Sequence, residues 1–210
     1  VVDNASVDDS LAGIGETELP LRVLTNSVNR GFAAACNHGA RQCTSDYLLF
    51  LNPDCVVEPD AIARVVEFKE CPGNRRIGVT GARLLDAGGR TWRCCARRAR
   101  PSDFLKKACG LDALFPHLRT HLMREWDHEE SRPVDHVMGS FYFVRRELFE
   151  QLGGFDERFF VYLEDLDFSV RAAQAGYTVH YLAEARVFHR GGGTSEQARA
   201  ERLFYSLRSR

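Results

Sequence analysis

The chain has 210 residues, 44% hydrophobic and 27% charged, with a formal net charge of -1. That is enough for one domain with a sizeable core and an ordinary globular composition. The near-neutral balance argues against a general nucleic-acid binder, which should carry a basic excess. The seven cysteines are odd in number and form no C-x-x-C pair. That pattern argues against a disulfide framework or a zinc site and fits reduced thiols in a cytoplasmic compartment. No apolar run approaches the roughly 20 residues needed to span a bilayer.

Val1-Val2-Asp3-Asn4 reads as the end of a buried strand running into a polar turn. Residues 196–210 still read as helix at the other end, so the expectation is a fragment cut at both ends and lacking a first strand. The pattern then predicts a strand over 21–25 and a helix over 31–43. An apolar strand over 46–51 follows, and a helix over 59–69 with proline near its first turn. Strands are predicted over 77–85 and 91–94, joined at Gly88-Gly89. Residues 97–132 carry a weaker pattern broken by Pro101 and Pro116, read as an insertion with helical pieces. Beyond it come strands over 134–137 and 141–144, helices over 146–152 and 163–175, and strands over 177–182 and 186–189. This alternation predicts a single α/β domain with a mixed, mainly parallel sheet flanked by helices. Ligands on such sheets bind beyond the carboxyl ends of the strands.

Four places stand immediately after strands or at helix starts. Asp3-Asn4-Ala5-Ser6 offers a carboxylate to a pyrimidine N3–H, and by itself it reads as a turn. Asn29-Arg30-Gly31-Phe32, with Asn37 further along, offers a glycine for close backbone approach to a ligand and a helix N-terminus for a diphosphate. It reads equally well as a helix cap. Asn52-Pro53-Asp54 puts a carboxylate at the sheet edge, where Mg²⁺ or Mn²⁺ could be shared with phosphates. The alternative there is a Pro-Asp turn. An aromatic run, Phe159 to Leu163, opens into Glu164-Asp165-Leu166-Asp167, so that two adjacent acids in a first helical turn point about 100° apart. Acid enrichment at helix starts is the plainer reading. His189, before Gly191-Gly192-Gly193, can ligate a metal or touch phosphate, although a lone His is more often structural.

Charge is uneven. Seven basic residues between 90 and 107 stand with Asp103 alone, and seven acidic ones between 147 and 167 with Arg158 alone. A basic segment facing an acidic site suits phosphates and a cation; two solvated stretches fit the charge as well.

These stretches, together with Gly154-Phe155-Asp156-Glu157-Arg158-Phe159-Phe160, resemble in order and spacing the family 2 glycosyltransferases of the GT-A fold. Leu122 to Glu129 and Arg132-Pro133-Val134-Asp135 are similar to the family's bacterial rhamnosyltransferases acting on polyprenyl-diphosphate-linked sugars. The resemblance covers essentially the whole chain. It implies a Rossmann-like sheet with a donor-binding half over about 1–95 and an acceptor-binding half over about 96–210. By the same resemblance, Asp3, Ser6, Asn29, Gly31, Asn37 and Asn52 belong to the donor site. Asp54 and His189 hold a divalent cation, Mg²⁺ or Mn²⁺. Asp165 is the base, with Glu164 beside it. Asn52 stands where many relatives carry Asp.

The implied reaction moves a sugar, L-rhamnose from dTDP-rhamnose, onto a glycan or lipid-linked saccharide with inversion. The implied setting is cell-envelope polysaccharide synthesis in the cytoplasm, with peripheral contact at the inner face of the plasma membrane through residues 90–107. Two rival readings are a nucleotidyltransferase, which should show a Gly-rich basic loop after its first strand, and a non-catalytic sugar-nucleotide-binding module, which needs no base.

Overall fold

The computed structural model describes residues 1–12, 14, 18–98, 109, 123 and 125–190. The strands are β1 (Val2–Asp3), β2 (Leu24–Thr25), β3 (Tyr47–Leu51), β4 (Cys55–Val57), β5 (Ile77–Leu85), β6 (Cys95–Ala96), β7 (Arg132–Val134), β8 (His136–Val137), β9 (Phe141–Arg145) and β10 (Thr178–His189). The α-helices are α1 (Phe32–Ala40), α2 (Ala61–Glu70), α3 (Arg146–Gln151) and α4 (Glu164–Gln174), and Pro72–Asn74 forms one 3₁₀ turn.

A six-stranded sheet runs β3-β9-β5-β10-β4, with β7 also paired to β10. β5 and β9 have nearly continuous buried runs because both faces of the sheet are covered. α2 and α4 both pack against β5 and β10. Beneath α4, Phe50, Phe149, Phe155 and Phe168 form an aromatic cluster with neighbouring ring centroids 4.8–5.5 Å apart. Each such ring contributes about 1.5–3 kcal/mol on burial. The cluster fixes α4 and the Phe155 loop relative to β3.

The α/β architecture and the mixed sheet hold; only the expected balance differs, since antiparallel pairings outnumber parallel ones among the described strands. Among the described strands β1–β2 and β5–β10 pair parallel, while β3–β9, β5–β9, β10–β4, β10–β7 and β6–β8 pair antiparallel. Reading each strand-helix step as a crossover overlooked β9, which inserts between β3 and β5 and runs against both. Three further boundaries shift. The strands expected over 177–182 and 186–189 are one strand, β10, with a register shift against β5 between Leu182 and Arg186. The strand expected over 134–137 is split between β7 and β8, which pair in different sheets. In place of a strand over 91–94, Thr91 makes a single bridge to Leu85 and pairing begins at Cys95. Most of the insertion, the helix expected over 196–210 and the glycine stretch 191–193 lie outside the described residues.

Candidate active site

β3 ends at Leu51 and the chain turns at Asn52-Pro53-Asp54 into β4, with Cys55 N–H donating to Asn52 O at 3.1 Å. β4 pairs antiparallel with the end of β10, which sets Cys55 directly opposite His189. Arg190 N–H donates to Asp54 O at 3.0 Å and closes the pairing. Asp54 Oδ1 then lies 3.4 Å from His189 Nε2. His189 is 7% exposed, and its Nδ1 has no hydrogen-bond partner. The ligand atoms of Asp54, Cys55 and His189 all fall within 4.8 Å of one another. Burial, then the Asp54 charge, pushes the Cys55 thiol up to about 12, and its Sγ–H points at Ser140 O at 3.4 Å. Trp92, partly exposed, lies 5.2 Å from the His189 ring.

The second corner is the start of α4. Tyr162 and Leu163 both adopt left-handed backbone, with φ of 69° and 71°. Two consecutive non-glycine residues in that region cost about 1–3 kcal/mol each. The turn they make delivers Glu164 and Asp165 into the first turn of the helix. Asp165 Oδ2 accepts from Gly139 N–H at 2.7 Å and Oδ1 from Leu166 N–H at 2.8 Å. A carboxylate has lone pairs beyond those two bonds, so it can accept a further hydroxyl. Glu164 points the other way. It is 5% exposed, and its Oε2 has no partner. Burial first, and the Asp165 carboxylate second, push Glu164 up to about 8. Burial first, and the Glu164 carboxylate second, raise the Cys36 thiol.

The two corners meet at consecutive residues. Ser140 O and Oγ face Cys55 Sγ and His189 Nε2, at 3.4 and 3.3 Å, while the preceding Gly139 donates to Asp165. Asn52 joins this junction through Nδ2 to Ser140 Oγ at 3.4 Å and N–H to Ser140 O at 3.1 Å.

The remaining expected donor residues form a third group. Asp3 is buried at the end of β1, and its Oδ1 accepts from Ser6 N–H at 3.2 Å. Asn29 Oδ1 accepts from Asn4 Nδ2 at 2.8 Å and Gly31 N–H at 3.0 Å. Asn4 is the hub, since its Oδ1 also accepts from Asn26 Nδ2 and Arg30 N–H. Gly31 does allow a close approach, but here the partner is the chain itself. Its φ is 84°, a Cβ would sit 2.3 Å from Phe160 O, and the adjacent Phe32 N–H donates to that oxygen at 2.6 Å. Asn37 is committed to the fold, because its amide grips Phe155 N–H and O at 2.9 and 2.8 Å and Glu157 at 3.1 Å. Both residues clamp the loop before α4 against α1.

Sequence reasoning missed Cys55, Gly139, Ser140, Trp92 and the support beneath Asp165. That support is Ser169, whose hydroxyl donates to Asp165 O at 2.8 Å, Tyr142, whose hydroxyl meets Ser169 Oγ at 2.9 Å, and His136. His136 Nε2 is 3.7 Å from Asp165 Oδ2 and its Nδ1 is 3.3 Å from Ser169 Oγ. Burial lowers its pKa and Asp165 opposes that. The four-residue spacing of Asp165 and Ser169 was a visible signal.

The family profile of Glycosyl transferase family 2 matches residues 1–153, and that of Glycosyl transferase family group 2 matches 114–207. The N-acetylglucosaminyl-diphospho-decaprenol L-rhamnosyltransferase of Mycobacterium tuberculosis (strain CDC 1551 / Oshkosh) is 28% identical over 207 residues, covering 90% of this chain. Rhamnosyltransferase WbbL of Escherichia coli (strain K12) is 28% identical over 152 residues, 71% of this chain. The chain spans 65% and 54% of the lengths of these two proteins. Among solved structures, the mannosyltransferase PcManGT from Pyrobaculum calidifontis, in complex with GDP-Man and Mn2+, superimposes with a TM-score of 0.61 at 22% identity. That match covers 94% of this chain and 49% of that one, and places the fold among the GT-A glycosyltransferases.

Proposed function

The chain belongs to Glycosyl transferase family 2, and from that premise we propose that it transfers L-rhamnose from dTDP-rhamnose to a hydroxyl of a polyprenyl-diphosphate-linked saccharide, with inversion, during cell-envelope polysaccharide synthesis. The observation that carries this is the junction at Gly139-Ser140, where a metal-type donor set and a carboxylate suited to be a base occupy the two sides of one dipeptide. The two rhamnosyltransferase relatives support the choice of sugar, and one of them by its name acts on a decaprenol-linked N-acetylglucosamine.

In this reading Asp165 accepts the proton of the acceptor hydroxyl as that oxygen bonds to the anomeric carbon. The bond from that carbon to the diphosphate breaks on the opposite face, and the nucleoside diphosphate leaves with the electron pair. Asp165 is held for this by Gly139 N–H and Leu166 N–H, and its orientation is further fixed through Ser169 and Tyr142. Glu164, buried and with its proton held more tightly by burial and by the Asp165 charge, is out of reach of an acceptor and leaves the base role to its neighbour. The donor set fits a divalent cation. Asp54 and His189 would hold it, and when bound it offsets charge on the departing diphosphate. Asp3, at the end of β1, would meet the donor's nucleobase, with Ser6, Asn29, Gly31 and Asn52 shaping the donor side and Asn37 acting through the Phe155 loop. The basic residues of 90–107 would meet the acceptor diphosphate or an anionic membrane surface, each cation contributing about 1 kcal/mol near such a surface. Among the described residues no helix is long and apolar enough to cross a membrane.

The test offers the protein dTDP-rhamnose, UDP-galactofuranose and UDP-N-acetylglucosamine with a polyprenyl-diphosphate-N-acetylglucosamine acceptor, and follows nucleoside diphosphate release. Acceptor-dependent release from dTDP-rhamnose is expected, with the opposite anomeric configuration in the product by NMR. Retained configuration, or turnover of nucleoside triphosphates in its place, overturns the reading.

A further inference from the structure

The Asp54–His189 corner contains a third donor that the hard-cation reading does not use. Cys55 sits directly opposite His189 in the β4–β10 register, and directly paired residues present their side chains on one face of a sheet. Its sulfur, the Asp54 carboxylate and the His189 imidazole lie within 4.8 Å of one another. Tetrahedral zinc bonds of ~2.0–2.3 Å put neighbouring ligand atoms about 3.3–3.7 Å apart, so side-chain movement of roughly 1 Å closes the set. His189 is more than nine-tenths buried, its Nε2 is aimed at Asp54, and its Nδ1 is unpartnered.

Oxygen donors alone suit Mg²⁺ or Mn²⁺; a thiolate with an imidazole and a carboxylate is the donor set of zinc. The missing C-x-x-C pair argues against zinc only for ligands close in sequence. Here strand pairing gathers ligands from distant parts of the chain.

We propose that Asp54, Cys55 and His189 form a three-donor oxygen, sulfur and nitrogen site for a thiophilic divalent cation of the Zn²⁺ class, in which Cys55 decides which cation the pocket prefers. The proposal rests on the reading of Asp54 and His189 as cation ligands and adds the sulfur. Three protein ligands leave a fourth position for water or a donor phosphate oxygen. On binding, the metal–sulfur bond replaces the S–H bond and the proton passes to solvent.

The probes are Cd²⁺ and Co²⁺, whose thiolate complexes absorb by sulfur-to-metal charge transfer, and Zn²⁺ competing against bound Mn²⁺ followed by paramagnetic resonance. Wild type and Cys71→Ser, which removes an exposed thiol elsewhere, should both show a charge-transfer band that saturates at one metal per chain. Cys55→Ser should lose the band and need at least about tenfold more Zn²⁺ to displace Mn²⁺, the scale of losing one coordinating influence. A band that persists in Cys55→Ser overturns the proposal. So does an equal fall in Mn²⁺ and Zn²⁺ affinity, which would mean that Cys55 is only structural. Should Cys55→Ser fail to fold, wild type alone decides. Alkylation of Cys55, read by peptide mass, must slow with Zn²⁺ and not with Mg²⁺; unchanged alkylation refutes the sulfur ligand. Mn²⁺ binding without any charge-transfer band ends the Cys55 proposal and leaves the donor-site reading standing. Binding of neither cation ends both.

Discussion

Asp54, Cys55 and His189 are brought together by the register of β4 against β10, whereas Glu164 and Asp165 arrive on one helix start. The first corner depends on long-range pairing and is closed by a backbone bond, Arg190 N–H to Asp54 O. The second depends on two left-handed residues and on the clamp that Gly31 and Asn37 place on the preceding loop. One corner is a set of candidate ligands gathered by strand pairing; the other is a strained turn holding one buried acid beside one that is partly exposed. The contrast teaches that the cation side should respond to ligand identity and the base side to backbone geometry.

The largest expected effect removes the proposed base while keeping its shape. Asp165→Asn should lower turnover by ~10²–10⁴-fold, the usual contribution of general base catalysis, with donor affinity retained. Steady-state rates and donor calorimetry check both halves. Near-normal turnover would place the base elsewhere and dissolve the contrast.

Next comes the junction. A Cβ on Gly139 would stand 2.9 Å from Asp165 Oδ2, tighter than van der Waals contact permits. Gly139→Ala should push the carboxylate aside and cost about 10²-fold in turnover, as a misplacement near 1 Å does. Mn²⁺ affinity, measured in parallel, should change much less. An equal loss in both would mean that the dipeptide supports the two corners as one unit.

Gly31→Ala tests the clamp. The substitution meets both a φ of 84° and the Phe160 carbonyl 2.3 Å away. A loss of at least about 1–3 kcal/mol of stability is expected from the backbone alone, read from urea midpoints. An unchanged midpoint would show that the turn before α4 stands without α1.

What could be read from the sequence follows the same division. The placement of Asp54 just past a strand and of Glu164-Asp165 at a helix start was legible because the signals are local: an apolar strand ending in Asn-Pro-Asp, and an aromatic run opening into acids. β5 and α2 were legible to within two residues because their periodicity is uninterrupted. Cys55, Ser140 and His136 were not, since each acquires its partners through pairings between distant strands that spacing does not encode. The antiparallel insertion of β9 was hidden for the same reason. Gly31 read equally as an opening for a ligand and as part of a helix cap, because a glycine required by close approach looks the same in sequence whether the visitor is a phosphate or the chain's own Phe160.

The smallest effect is the one that only pH reveals. Glu164 titrates near 4.5 when unfolded and is pushed up to about 8 when folded, first by burial and then by Asp165. Between those values the folded chain keeps a proton that the unfolded chain has released. Stability from this group is therefore complete below about 4.5, falls as pH rises, and is lost above about 8. Buried Lys69 acts in the opposite sense. Burial pulls it from 10.5 to about 7, so the unfolded chain holds the extra proton and stability rises with pH between those values. The two slopes overlap, and the wild-type profile alone cannot separate them. The difference between wild type and Glu164→Gln can, because Lys69 contributes equally to both. That difference should favour the variant progressively from pH 5 to about 8 and then level off, as read by urea midpoints. A difference that stays constant with pH would mean that Glu164 ionises on folding as freely as in water. The base corner would then lack the neutral acid that distinguishes it from the ligand corner.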